Sequence, residues 1–142
     1  MAKFTQSITI NAPVVKVYKY LSDPANLPEW HPSVVRIRDI TGRGENQKWT
    51  WDYKLWGHIF TEEVYVEKDQ INTSRIFKSK GIIRSKRSFT FALVGEGTRL
   101  DYELEYTIPI VIINSVGEPL AIQRSKRVVD MALTNIKERM EG

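Results

Sequence analysis

"SITINAPVVKVYKYLSDPANLPEWHPSV", residues 7–34, decides how this chain is read. It opens as the end of a strand. Phe4, Gln6, Ile8 and Ile10 fall on one face, with polar residues opposite. Asn11 then offers a side-chain oxygen as a helix cap, and Pro13 suits a first helical turn. Val14, Val17, Tyr18 and Leu21 form one helical stripe. Ser22-Asp23-Pro24 ends that helix and starts another short one. Residues 25–32, punctuated by Pro28 and Pro32, read as a helical turn followed by a connection.

Beyond this stretch the period changes to two. Strands are predicted near 34–41, 47–56, 58–68, 72–79, 82–93 and 98–107. Gly42 and Gly44, Gly57, Asp69-Gln70, Gly81 and Gly95-Glu96-Gly97 separate them. Connections this short between long alternating strands imply consecutive antiparallel hairpins. After Pro109 the spacing turns helical, from about Glu118 to Met140. Leu120, Val128, Met131 and Leu133 belong to that pattern, with Ile122, Val129, Ile136 and Met140. The predicted order is one strand, two short helices, six strands and one long helix. Its fold class is α+β: a curved, seven-stranded antiparallel sheet around a long C-terminal helix, which buries the apolar faces of both.

Composition agrees with one domain over residues 1–142. A chain of this length buries roughly 70% of its unfolded surface, so it needs neither disulfides nor a metal to fold. It contains no cysteine, which excludes a disulfide framework, a cysteine zinc site and a thiol nucleophile. A cytoplasmic, reducing setting is compatible with this. The first ten residues lack the apolar segment of a secretory signal. The longest aliphatic stretch, Ile108 to Ile113, is far too short to span a bilayer. His31 and His58 do not have zinc-motif spacing, and no G-x-S-x-G elbow or phosphate-binding glycine loop is present. No metal and no cofactor are expected.

The ordered set of motifs resembles the START-like or Bet v 1-like (SRPBCC) superfamily, in its polyketide cyclase/dehydrase or coenzyme Q-binding branch. Residues 7–34 carry most of the resemblance. "GEGTRLDYELEY", 95–106, and Leu133 with Ile136-Lys137 add to it. The resemblance covers residues 3 to 140. It implies a helix-grip architecture in which sheet and helix enclose an apolar cavity for a lipid, isoprenoid, polyketide or similar guest. Fold alone does not decide function, which must come from the site.

On "KWTWDYKLWG", 48–57, one face carries Trp49, Trp51, Tyr53 and Leu55. These side chains either fill a solid core or line a chamber. The same inner wall takes Phe60, Glu62, Val64 and Val66 from 58–68, with His58. From 82–93 it takes Ile83, Ser85, Arg87, Phe89, Phe91 and Leu93. Leu100, Tyr102, Leu104 and Tyr106 come from 98–107. A lone buried charge is costly, so Glu62 and Arg87 must pair, face a ligand, or sit at strand ends open to solvent. An apolar wall with a few convergent polar groups is the usual form of a small-molecule site. The candidate ligand-binding residues are Trp49, Trp51, Tyr53, Phe60, Glu62, Arg87, Phe89, Phe91, Tyr102, Tyr106 and Val128.

Two functions are compatible with that wall. One is binding or carriage of a hydrophobic small molecule. The other is a cyclase or dehydratase reaction, in which Glu62 would remove a proton beside a carbonyl and Arg87 or a tyrosine would stabilise the enolate. His58, beside Gly57 at a hairpin, is expected to be exposed, and His31 is expected near the cavity rim. Residues 108–113, IPIVII, read as an apolar lip between the last strand and the long helix. The formal charge of +4, with "KSKGIIRSKR" at 78–87 and "RSKR" at 124–127, suits transient contact with an anionic membrane. Nucleic acid is not expected, because exposed aromatics do not interleave with the basic residues. The sequence carries no signal for oligomeric state.

Overall fold

The computed structural model describes residues 2–142. The chain runs β1 (Ala2–Ile10), α1 (Val14–Leu21), a 3-10 turn (Pro24–Asn26) and α2 (Leu27–Trp30). Six strands follow: β2 (Val34–Thr41), β3 (Lys48–Leu55), β4 (His58–Gln70), β5 (Ser74–Lys80), β6 (Ser85–Val94) and β7 (Gly97–Tyr106). The chain closes with α3 (Ile110–Val116) and α4 (Glu118–Glu141). All seven strands form one antiparallel sheet in the order β1-β7-β6-β5-β4-β3-β2. Among the described residues only the β1–β7 pairing joins strands distant in sequence, with Ala2 opposite Tyr106 and Ile10 opposite Thr98.

The strand turns follow from their residues. Trp56 and Gly57 both take positive φ, which the two-residue β3–β4 hairpin requires. A bulky indole is strained there. It is held because its N–H donates to the Ala121 carbonyl at 3.1 Å and its ring stacks on Tyr106. At the free edge, β2 loses register twice against β3, between Val34 and Arg36 and between Arg38 and Thr41. Asp39, inside the second break, has φ 58°.

At the start of α1 the sequence reading needs correction. Asn11 does not cap the helix with its side chain. Pro13 holds the cap position, and its carbonyl accepts the N–H groups of Lys16 and Val17. The backbone N–H of Asn11 instead donates to Glu141 at the far end of α4, 2.7 Å away. Asp23 does cap the next turn, accepting the Ala25 N–H at 3.0 Å.

The core side of α4 is Ala121, Ser125, Val129, Ala132, Leu133, Ile136 and Met140. Steps of three and four residues keep these on one stripe. Leu120 and Met131, expected on that stripe, are exposed. Each lies one residue round from a buried alanine, and the small side chains at 121, 125 and 132 set the contact line. Val128 is half-buried at the border of the core. Leu93, expected on the inner wall, projects into solvent beside the β6–β7 turn. Residues 108–113, read as an apolar lip between the last strand and the long helix, take that place largely as a helix. They run into α3, which starts after Pro109 and buries only Ile112.

Candidate functional site

The concave face of the sheet gathers the aromatic residues. Trp49, Trp51, Tyr53, Phe60, Phe77, Phe89, Phe91, Tyr102 and Tyr106 are all buried there. Their rings meet mostly edge-on or tilted. Trp51 lies 5.1 Å from Tyr53, and Phe89 lies 4.8 Å from Tyr102. Trp30, from α2, closes against Phe89 at 5.9 Å.

Arg87 stands in the middle of this wall, 3% exposed. Its guanidinium carbon is 4.9 Å from the Trp51 ring centre and 5.0 Å from that of Tyr53. Nη1 donates to Ser85 Oγ at 2.6 Å, and Ser85 Oγ is 2.5 Å from Ser79 Oγ. Among the described residues no carboxylate pairs with Arg87, and its Nε has no partner. Burial opposes the cation, while the phenols of Tyr102 and Tyr53 support it and leave its pKa above the ordinary value. Arg87 is therefore charged at any physiological pH.

The groups around Arg87 are also donors. The Tyr102 hydroxyl and the Trp51 indole N–H are buried without partners. Burial pushes the Tyr102 phenol up to about 12, so it keeps its proton. His31 joins from the end of α2. It does not sit at a rim, because the Leu27–Trp30 turn folds it inward to 2% exposure. His31 Nδ1 accepts the Ser33 N–H at 3.2 Å, which leaves the ring proton on Nε2. That Nε2 faces the Tyr53 hydroxyl at 3.4 Å. Burial first, and the Arg87 charge second, hold the imidazole pKa well below 6.5, so His31 is neutral. With Nε2–H directed at its oxygen, the Tyr53 hydroxyl has its own hydrogen to give. Arg87, Tyr53, Tyr102 and Trp51 thus make a buried cluster rich in donors and poor in acceptors. Such a cluster is complementary to an oxygen carrying negative charge.

Glu62 is 4% exposed but does not join Arg87. Its Oε2 accepts the N–H of Ile83, at 2.9 Å, in the β5–β6 turn. The carboxylate lies flat against Gly81, where a Cβ would stand 2.5 Å from that oxygen. Thr107 holds the other side of the same residue, donating its N–H and its hydroxyl to the Ile83 carbonyl. At this end of the molecule the Tyr106 hydroxyl is also buried and unpartnered, and Phe60 packs edge-on against Trp56. His58 is exposed at the β3–β4 hairpin.

A second buried polar group was not singled out from the sequence. Arg75, 2% exposed, pairs with Asp69 at 2.9 Å and donates to Gln47 at 2.6 Å; Tyr18 donates to the same Asp69. Its four members come from α1, β4, β5 and the β2–β3 connection. They line an open groove of about 1080 Å³ beside α1. Every charge in this group has a partner, so it reads as a brace. The one available signal was strand phase, since Arg75 shares its face with Phe77.

The family model for polyketide cyclase/dehydrase and lipid transport proteins matches residues 1–141. The chain belongs to that family. No curated protein matches it. Among solved structures, the protein TTHA0849 of Thermus thermophilus superposes with a TM-score of 0.85 at 23% identity, covering 98% of this chain and 97% of the other. A START superfamily protein of Mycobacterium smegmatis superposes at 0.79 and 15% identity, covering 98% and 97%. The Streptomyces aromatase/cyclase Zhui superposes at 0.77 and 12% identity, covering 99% and 93%. Identities this low establish the shared START-like fold, an α+β helix grip, and leave chemistry to the site. No helix among the described residues is long and apolar enough to cross a membrane.

Proposed function

We propose that this polyketide cyclase/dehydrase family member binds a hydrophobic, ring-bearing small molecule with an acceptor oxygen, such as a carbonyl, phenolate or carboxylate. The oxygen would lie at Arg87, Tyr53 and Tyr102, and the apolar body against Trp51, Phe89 and Trp30. One observation supports this above the others: Arg87 is buried, charged and without a carboxylate partner among the described residues, and the Tyr53 and Tyr102 hydroxyls and the Trp51 indole beside it can donate to a guest. A buried cation in an apolar core is costly unless something completes it. Family membership points to guests of the same character, either lipids or polyketide-like compounds. Entry would be under α3, which is held to the core by Ile112 and, partly buried, Val116.

Titration calorimetry with 2-naphthoate and with 2-naphthylmethanol tests this reading. The two probes share a ring system and differ in the charged oxygen. A charge-assisted hydrogen bond is worth about 1.5–3 kcal/mol, so naphthoate should bind at least about tenfold tighter. Arg87→Met should erase the preference. Equal affinities in the wild type would end the proposal.

A cyclase-type reaction is a second reading, favoured by the same donor cluster. Arg87, Tyr53 and Tyr102 would hold the oxygen of an enolate, and Glu62 is the buried carboxylate available to take the α-proton. In deuterium oxide, the wild type should speed exchange of the α-protons of a 1,3-diketone, and Glu62→Gln should not. No acceleration by the wild type would leave binding without catalysis.

A further inference from the structure

The end of the molecule that carries the β5–β6 turn presents two features that the interior does not use. The first is charge. Lys80 and Arg84 are exposed, and Lys86 is half-exposed. Among the described residues none of these three forms an ion pair. Lys78 and Lys86 sit directly opposite each other on β5 and β6. Like charges in that register destabilise a sheet. Lys78 is relieved by Glu67 at 3.2 Å, and Lys80 Nζ rests over the Tyr65 ring at 4.8 Å. Together they line a groove of about 720 Å³ in which Glu105 is the single carboxylate.

The second feature is apolar. Ile82, at the tip of the turn, is 69% exposed, and Ile110 and Val111 at the start of α3 are 69% and 55% exposed. The bonds from Thr107 to Ile83 join the turn to the segment that leads into α3, three residues before Ile110. Lys80 stands opposite Glu63 and Lys86 opposite Glu105 without closing an ion pair, and Arg84 has no carboxylate opposite it. Isoleucine tips beside such exposed cations match the two layers of an anionic bilayer surface. Phosphates take the cations, and the outer acyl region takes the apolar tips. The other basic stretch belongs to α4, with Lys126 over the Phe4 ring of β1, two strands across the sheet from β6.

We propose that the β5–β6 turn and the start of α3 form a docking surface for an anionic phospholipid membrane. Lys80, Arg84 and Lys86 engage headgroup phosphates, and Ile82 and Ile110 enter the interface. This attachment does not depend on whether the interior takes a guest.

Vesicle sedimentation tests it, with phosphatidylcholine alone and with one quarter phosphatidylglycerol, at low and high salt. The wild type should pellet with the anionic vesicles at low salt and much less at high salt. Lys80→Glu, Arg84→Glu and Lys86→Glu together should weaken partitioning by at least about 100-fold. Ile82→Ser with Ile110→Ser, both at exposed sites, should weaken it while leaving the fold intact by circular dichroism. Arg124→Glu with Arg127→Glu should change it little, and Arg87→Met should not change it. Four results would overturn the proposal: no pelleting of the wild type, equal pelleting of the triple charge reversal, equal loss in the α4 control, or binding of single-stranded RNA through the same lysines without vesicle binding.

Discussion

Replacing Arg87 by methionine should make the empty protein more stable while removing its preference for a charged guest. The arithmetic comes from the surroundings of the side chain. An ion removed from water into a protein interior costs several kcal/mol even after relaxation. Against this, Arg87 has one charge-assisted bond to Ser85, worth about 1.5–3 kcal/mol, and two aromatic faces, worth up to about 2 kcal/mol. At pH 7 the Tyr102 hydroxyl keeps its proton and offers the cation a dipole alone. Methionine keeps most of the stem volume and leaves no orphan, since Ser85 Oγ retains Ser79 Oγ at 2.5 Å. The balance favours the variant by about 1–2 kcal/mol. For a chain of this length that is a rise in Tm of about 3–8 °C. Thermal and urea unfolding of both proteins, without added ligand, measure it. A fall in Tm of similar size would show that Arg87 holds the fold together, and the argument for a binding role would lose its footing.

Other predictions follow the same geometry. Gly81→Ala should cost about 1–3 kcal/mol, because its Cβ collides with the Glu62 carboxylate, and Glu62→Ala in the same chain should recover part of that loss. Additive losses in a double-mutant cycle would refute the contact. His31 is neutral when folded and titrates near 6.5 when unfolded, so the unfolded state binds the extra proton below that pH. Stability should therefore fall by about 1.4 kcal/mol per pH unit as pH drops below 6.5, and His31→Gln should flatten that slope. Equal slopes in urea melts at about pH 6.5 and pH 5 would refute it. Asp69→Asn leaves Arg75 with its charge buried and should cost about 3–5 kcal/mol, a drop in Tm of roughly 10 °C or more.

Period-two alternation between glycine turns was enough to place the strands, because each hairpin is local and each inner face repeats every second residue. Trp51, Tyr53, Arg87 and Tyr102 could be put on one wall for that reason. What alternation does not carry is depth along the strand. Leu93 has the right phase and ends in solvent, because β6 extends beyond the core there. His31 was harder still. Nothing in Trp-His-Pro says that a four-residue helix will turn the imidazole inward onto a tyrosine 22 residues away. The Tyr18–Asp69–Arg75–Gln47 brace joins four segments with no common spacing, so it exists only once the sheet has formed. The stretch 108–113 was legible as an apolar connection but not as a helix, because six residues broken by Pro109 are too few to show a helical period.

The two breaks in the β2 ladder bear on the company this protein keeps. β2 is one of the two edge strands of the sheet, β1 being the other, and a straight edge strand is a template on which a second chain's backbone can add. With register lost on both sides of Arg36–Arg38 and Asp39 turned into a left-handed conformation, the outward row of amides is not evenly spaced. Arg36 and Arg38 add charge along the same border. A neighbour arriving there would meet a ragged margin, so this side of the sheet is a poor starting layer for a fibre.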